Sequence, residues 1–512
     1  MENYDVIIIG TGAGGGTIAR ALAPTGKRIL ILERGGFLPR ERENWDPTSV
    51  VVNKRYAPTE TWYHDDMPFR PGHPHYFVGG STKLFGAAMF RLREADFGEI
   101  QHEGGISPAW PISYDDLEPY YAQAEKMYYV HSEAGTDPSE PRRSGPFPYA
   151  PLPHEPRIQQ LSNDLNKLGY HPFPLPMGVR LGNENGKPEA ITNLSFFDGF
   201  PDPTESKADA HVIGIKYAQQ FDNVTLKINS YVERLETDAS GRNVTRVIVK
   251  NETGEEVAYS ADTVIVAGGA INSAALFLRS KNDKHPNGLA NSSGLVGRNY
   301  MCHNNATFIA ISKEPNDSIF EKTLGLADWY GPSKDWEYPM GLIQMLGKVD
   351  AVQMHFEAPQ PLGDMTYEEM AAHSLDFWLQ SEDLPDPNNR ITLNANNQIV
   401  IHYEANNLVA HQMLTEKLRS ILSYIGCHEH LIPVDFYLGQ RFPFNLAHQA
   451  GTMKFGADSN TSVLDVNCRP HDLDNVYVVD SSFIVSIGAV NPSLTIIANA
   501  LRVADHLKAQ VL

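Results

Sequence analysis

Cysteine is scarce. The 512 residues hold three, Cys302, Cys427 and Cys468, with no C-x-x-C among them. Neither a redox dithiol nor a zinc site is expected, and a reducing cytoplasm is the expected home. Positive charge is also short: Lys and Arg number 42 against 62 Asp and Glu, a formal net charge of -20. Such a surface repels nucleic acid and anionic membrane, so neither is expected as a partner. No apolar run approaches the length of a membrane span, and no basic leader precedes the first strand near residue 4. The G-x-S-x-G elbow of an acyl-transfer hydrolase is absent. So is the second, mid-chain nucleotide fingerprint of an NAD(P)-linked flavoprotein reductase. His64, His73 and His75 fall in no recognisable ligand frame, and no metal is expected. What remains, 42% apolar and 20% charged residues, is normal for a globular enzyme. The length calls for two or three domains.

The chain is organised around Tyr4-Asp5-Val6-Ile7-Ile8-Ile9-Gly10-Thr11-Gly12-Ala13-Gly14-Gly15. Four apolar β-formers run into G-x-G-x-x-G, a strand that turns tightly into a helix. Gly10 permits the turn, Gly12 lets the backbone approach a pyrophosphate, and Gly15 lets the helix lie close on the sheet. The helix N-terminus offers free N–H groups and a positive dipole end to phosphates. Pro24 stops the helix. A second strand, 28–32, ends in Glu33, placed to accept the adenosine ribose hydroxyls. Strand, glycines, helix, strand and acid in this order point to dinucleotide binding.

Residues 37–78 carry many aromatics and prolines with little periodicity, and 60–78 reads as a loop or an active-site lid. Gly79-Gly80-Ser81-Thr82-Lys83-Leu84-Phe85-Gly86-Ala87 is small enough for a close backbone approach to a cofactor, or for a tight packing site. Helices are expected near 111–129, 156–168, 210–220, 272–278, 410–425 and 493–507. Strands are expected at 224–228, 231–236, 244–249 and 256–259, and a further buried strand at 262–267 returns to the nucleotide sheet, with Ala267 and Gly268 at its ligand-facing end. From about 300 the pattern changes to strands at 306–311, 341–346, 352–356, 390–393 and 399–403. The chain resumes the first sheet with a strand at 475–480 ending in Asp480.

Two residues could carry chemistry. His448, followed by Gly451-Thr452, can take a proton from an alcohol, or it can be a satisfied structural histidine. Asn491, in Asn491-Pro492-Ser493 ahead of an apolar helix, can donate to a developing alkoxide, or it can cap the helix.

These motifs, in this order, resemble the glucose-methanol-choline (GMC) family of FAD oxidoreductases over essentially the whole chain. The fingerprint with Glu33 looks like that family's ADP-binding unit. Gly79-Gly80-Ser81-Thr82 with Gly86 is similar to its second glycine motif, Gly294-x-x-Gly297-Arg298-Asn299 to another family element, and His448 through Asp480-Ser481 to Asn491-Pro492 to its active-site half. The resemblance implies an α/β, two-domain flavoprotein. A Rossmann-like FAD-binding domain would take 1–155, 192–300 and 445–512, and a sheet-and-helix substrate-binding domain 156–191 and 301–444. It implies His448 and Asn491 as the catalytic pair. The implied cofactor-binding set is Gly10, Gly12, Gly14, Gly15, Glu33, Arg34, Gly79, Gly80, Ser81, Thr82, Phe85, Gly86, Ala87, Val232, Ala267, Gly268, Asp480, Ser481, Asn491, Pro492 and Ser493. Phe85 stands where many members have asparagine, so contacts at the flavin's reactive edge differ here. Some relatives attach FAD through a histidine in this glycine region; none stands in 79–90, and FAD is expected to be non-covalent.

Within the family the chain looks most like bacterial pyranose oxidase-like proteins, some of which oxidise C3 of sugars and glycosides. The implied reaction oxidises a secondary pyranose hydroxyl, at C3 or C2, to a keto-sugar. The proton goes to His448 and hydride to flavin N5, and electrons pass on to O2 or a quinone-type acceptor. Gln344 and Gln353 are the expected substrate contacts with His448 and Asn491. Tyr403, Tyr437, Gln440 and His355 are further polar or aromatic candidates. The alternatives are a primary-alcohol or choline-type oxidoreductase and a flavin-binding protein without catalysis. Size and acidic surface fit a monomer or a homodimer.

Overall fold

The computed structural model describes residues 2–181, 196–251, 253–334, 336–357, 363–427 and 447–512. At its centre is strand Glu2–Ile9, whose carboxyl half, Val6 to Ile9, is buried, as a parallel strand covered on both faces must be. It pairs in parallel with Ile29–Leu32 on one side and Glu256–Val266 on the other. Val224–Lys227 extends the sheet beyond Ile29–Leu32. The free edge of Glu256–Val266 is shared. Its first half runs antiparallel to Val244–Lys250, which leads to Tyr231–Thr237, and its second half runs parallel to Val476–Val478. The two strands expected at 256–259 and 262–267 are therefore one. No glycine or proline interrupts them, and Ser260 and Ala261 stay in register with Asn3 and Tyr4.

Helices Ala13–Leu22, Tyr114–Met127 and Ser493–Gln510 pack together. The run Ala-Gly-Gly-Gly is a poor helix former, but this helix has close neighbours. A Cβ at Gly14 would stand 2.1 Å from the Val479 carbonyl oxygen. The glycines trade propensity for the approach of the strand that ends in Asp480.

A second, antiparallel sheet takes the order Asn304–Ile311, Ser374–Ser381, Leu342–Met345, Leu324–Leu326, Phe173–Pro174. Its side chains alternate. Phe308, Ile343, Met345, Phe377 and Leu379 face a core completed by Leu161 and Leu165 of helix Pro156–Lys167 and Leu414, Leu418 and Ile421 of helix Leu408–Tyr424. Thr307, Gln344, Trp378 and Gln380 belong to the alternate positions of the same strands.

Two expectations fail here. The loop expected through residues 62–69 is instead a hairpin of Trp62–His64 and Met67–Phe69 that joins Ile399–His402 and Arg390–Leu393 in a four-stranded sheet. Trp62 and Phe69 are buried with Ile391 and Ile401. Pro68 is tolerated because its strand is an edge. Residues 352–356, expected as a strand, lie in helix Ala351–Glu357. The missed signal is a reciprocal cap: the Gln353 N–H donates to Asp350 Oδ1 at 2.8 Å, and the Asp350 N–H donates to Gln353 Oε1 at 3.2 Å.

Candidate active site

A cavity of about 810 Å³ opens at the carboxyl ends of Glu2–Ile9, Ile29–Leu32 and Glu256–Val266, where ligands of such sheets sit. Each strand end contributes to its wall: Gly10, then Glu33 and Arg34, then Ala267 and Gly268. Glu33 is buried. It accepts from the Thr11 N–H at 3.1 Å, the Thr11 hydroxyl at 2.5 Å and the Gly35 N–H at 3.0 Å. Burial pushes its carboxyl up, and these donors pull it back. The Arg34 guanidinium lies 3.6 Å from the ring centre of Tyr76 and 4.6 Å from that of Tyr231, and it pairs with Glu60 at 3.0 Å. Val232 follows Tyr231 on the wall.

In the middle of the cavity two glycine loops face each other. A Cβ on Gly80 would come 2.9 Å from Gly12 Cα, whereas a Cβ on Gly12 would meet nothing within 4 Å. Gly14, Ser81, Thr82, Phe85, Gly86, Ala87, Asp480, Ser481, Pro492 and Ser493 also line it. Asp480 is tied by Gly269 N–H (3.0 Å) and Ser273 Oγ (2.5 Å) on one oxygen and by Ser482 on the other; burial raises its pKa. Two expected members stand back. Gly15 packs on the Gly10 carbonyl, where a Cβ would be 2.1 Å away. Gly79, at φ +104°, turns the chain and donates its N–H to Thr11 Oγ1 at 2.9 Å.

At the far end stand His448 and Asn491. His448 sits at φ +60°, a region that L-residues seldom occupy. Its loop is pinned by the exchange of N–H···O bonds between Ala450 and Met301 at 2.9 and 3.0 Å. Asn491 precedes helix Ser493–Gln510, whose amino end faces the cavity. Asn491 Nδ2 lies 3.4 Å from His448 Nε2, and His448 Nδ1 lies 3.0 Å from His303 Nδ1. Burial, and secondly the nearby Lys322 ammonium, push the His448 imidazole down to about 4. The ring is therefore bare of a second proton, and able to take one, across neutral pH.

Gln344, expected to touch substrate, does not line the cavity. Its Nε2 donates to Asn491 Oδ1 at 2.9 Å. In that arrangement Asn491 presents Nδ2 to His448. Gln353 does line the cavity, from its helix. Tyr403 bonds Asp383 instead, at 3.1 Å, and the His355 ring packs on Tyr367. Tyr437 and Gln440 lie outside the described residues.

Several wall residues were not assigned to this site from the sequence. Lys322 pairs with both oxygens of Asp198 at 2.8 and 2.9 Å, beside Gly86. Thr307 and Trp378 reach the cavity from the second sheet, and the buried Thr307 hydroxyl has no partner among the described residues. His73 and His75 line it too, with ring centres 4.6 Å apart. His303 was findable, because it follows closely on the Gly294–Asn299 turn. The Lys322–Asp198 pair, 124 positions apart, was not.

The chain matches two family models described as GMC oxidoreductase, over residues 73–305 and 434–500, together more than half its length. It is 28% identical to the 6'''-hydroxyparomomycin C oxidase of Streptomyces lividus, over 99% of this chain and 92% of that one. It is 27% identical to the fructose dehydrogenase large subunit of Gluconobacter japonicus, over 98% and 97%. Its fold matches that of pyridoxine 4-oxidase from Mesorbium loti, with a TM-score of 0.67 at 17% identity, over 99% of this chain and 100% of that one.

Proposed function

The chain belongs to the GMC oxidoreductase family, and from that premise we propose that it oxidises a secondary hydroxyl of a pyranose sugar or glycoside, at C3 or else C2, to the ketone. FAD is non-covalent in this reading, and O2 or a quinone-type acceptor takes the electrons onward. The observation that carries it is the convergence of His448 Nε2 and Asn491 Nδ2, 3.4 Å apart, on the wall of the cavity that the strand ends open into. The names of the two relatives, one for hydroxyparomomycin C and one for fructose, support a sugar-like donor.

The residues present fit FAD. Glu33 offers a carboxylate for ribose hydroxyls, and Tyr231 and Val232 flank the same end. The empty space over Gly12, at the amino end of Ala13–Leu22, suits a diphosphate. Bound there, FAD supplies the acceptor for the two electrons and the carbinol hydrogen.

The protein's part is placement and proton transfer. A substrate hydroxyl that enters between His448 and Asn491 donates to the bare Nε2 and accepts from Asn491 Nδ2. Gln344 holds that amide in the donating orientation. His448 takes the proton as the carbon–hydrogen bond is given up. Thr307, Gln353 and Trp378 line the same cavity and offer hydrogen bonds and a stacking face to a pyranose ring.

The test is anaerobic mixing of the yellow protein with glucose, O- and C-glycosides, choline and benzyl alcohol while the flavin absorbance is followed. Sugars or glycosides should bleach it. His448→Ala should slow bleaching by roughly 100-fold or more, and product analysis should give a ketone. Bleaching by choline or simple alcohols alone would overturn the sugar reading, and bleaching by nothing would overturn catalysis on alcohols. Acid precipitation should release the flavin; flavin that stays with the pellet would overturn non-covalent binding.

A further inference from the structure

His448 can act as a base only through the nitrogen that lacks a hydrogen, and a neutral imidazole has one such nitrogen. Which one it is follows from the far side of the ring. The Gly488 carbonyl oxygen lies 3.0 Å from His303 Nε2. A carbonyl only accepts, so His303 carries its hydrogen on Nε2. His303 is buried and neutral, its pKa driven well below the usual value by burial and then by the neighbouring His448. Its Nδ1 is therefore bare. His448 Nδ1, 3.0 Å from it, must supply the hydrogen of that bond, which leaves His448 Nε2 bare toward Asn491 and the cavity.

The anchor of this chain is held from several sides. The Gly488 N–H donates to Glu382 Oε1 at 3.1 Å, and Ser107 donates to the same oxygen at 2.8 Å. The Ala489 N–H donates to Tyr330 Oη at 3.1 Å, and Tyr330 donates to the buried Asp96 at 2.7 Å. The acceptor carbonyl thus has little freedom to turn away. The chain also ends there. A carbonyl cannot pass a proton on, so the arrangement orients the base and gives it no exit behind the ring.

We propose that His303 is the positioning residue of this site: through the Gly488 carbonyl it fixes His448 in the Nδ1–H form and leaves Nε2 as the proton acceptor. The proposal rests on the reading of His448 as the base, but its first test does not. In protein labelled with ¹⁵N-histidine, the long-range ¹H–¹⁵N cross-peak pattern separates the two tautomers, and His448 and His303 are assigned by their absence from single variants. His448 should show Nδ1–H and His303 Nε2–H in the parent. His303→Leu should move His448 into a tautomer mixture. His303→Gln should restore the parent pattern, because a carboxamide can accept from His448 and donate to Gly488.

The second readout is flavin reduction by the best substrate. In serine-protease triads the partner that holds the histidine tautomer is worth about 10⁴ in kcat; a neutral acceptor should be worth less, roughly 10- to 100-fold. His303→Leu should lose that factor in the limiting rate, with the substrate concentration for half-saturation near the parent's, and His303→Gln should recover most of it. A parent His448 in the Nε2–H form would overturn the proposal. So would an unchanged tautomer, or an unchanged reduction rate, in folded, flavin-loaded His303→Leu. Where His303→Leu does not fold, the parent tautomer pattern and His303→Gln decide. Failure of every substrate to bleach the flavin overturns the proposed function and leaves the tautomer test standing.

Discussion

Gly12→Ala separates what the fold needs from what the cofactor needs. A Cβ there meets no atom within 4 Å, and φ -67° with ψ -163° is open to any L-residue. The apoprotein should accept the methyl: the stiffer unfolded chain is worth about 0.4–1 kcal/mol, the loss of glycine at the helix N-cap costs a similar amount, and the net change should stay within about 1 kcal/mol. FAD should not accept it, because the same space is the approach to the amino end of helix Ala13–Leu22. Moving an anion off a helix N-terminus costs up to ~2 kcal/mol, and a methyl wedged into a packed contact costs about 1–3 kcal/mol. The sum, about 1–5 kcal/mol, is a roughly 5- to 4,000-fold weaker Kd at 1.4 kcal/mol per decade. Gly14→Ala is the contrast. Its Cβ would stand 2.1 Å from the Val479 carbonyl oxygen, so the apoprotein itself should lose about 1–3 kcal/mol. Fluorescence titration of each apoprotein with FAD gives the first quantity, and denaturant melts of the same samples give the second. Parent-like FAD affinity in Gly12→Ala would refute the placement of the diphosphate. An apo Gly12→Ala less stable than apo Gly14→Ala would refute the packing argument.

Two further outcomes follow from the site and its walls. His448 is depressed to about 4, so the flavin-reduction rate should be flat from neutrality to about pH 5 and fall only below it. Lys322→Met removes a cation that holds His448 down, which favours imidazolium; the acid limb should move up by about 1 pH unit. An unmoved limb in a pH–rate series would mean that Lys322 does not act on the base. Trp62→Ala should cost about 3–5 kcal/mol in a denaturant melt, as removal of a core aromatic does, with flavin reduction by the folded fraction near the parent's. A slowed reduction with parent-like stability would support the proposed role of residues 60–78 as a lid.

The first sheet was legible because its signals are local. Val6 to Ile9 run straight into the glycines, Glu33 ends the very next strand, and each type has one strong physical use there. The hairpin at 62–69 was not legible. Its two three-residue strands are too short for period-two alternation to show, and they are strands because Ile399–His402, more than 300 positions away, completes their pairing. Helix Ala351–Glu357 was misread for the opposite reason. Val352, Met354 and Phe356 alternate like a strand, and the deciding signal was the cap between Asp350 and Gln353, two polar side chains outside the apolar pattern.

The site shows the same division. His448 and Asn491 were marked by motif, but the motif does not say which nitrogen of the ring, or which end of the amide, faces the substrate. Both answers come from residues that touch nothing in the cavity. Gln344 bonds the amide oxygen, and His303 bonds the imidazole Nδ1. Gln344 was singled out as a polar residue on an apolar strand and assigned to the substrate. The observation was sound, but the Gln344 Nε2 goes to the neighbouring Asn491 amide rather than to the cavity. The chemistry of the pair is set one layer behind the cavity wall, by partners that tertiary structure alone brings together: 147 positions separate Gln344 from Asn491, and 145 separate His303 from His448.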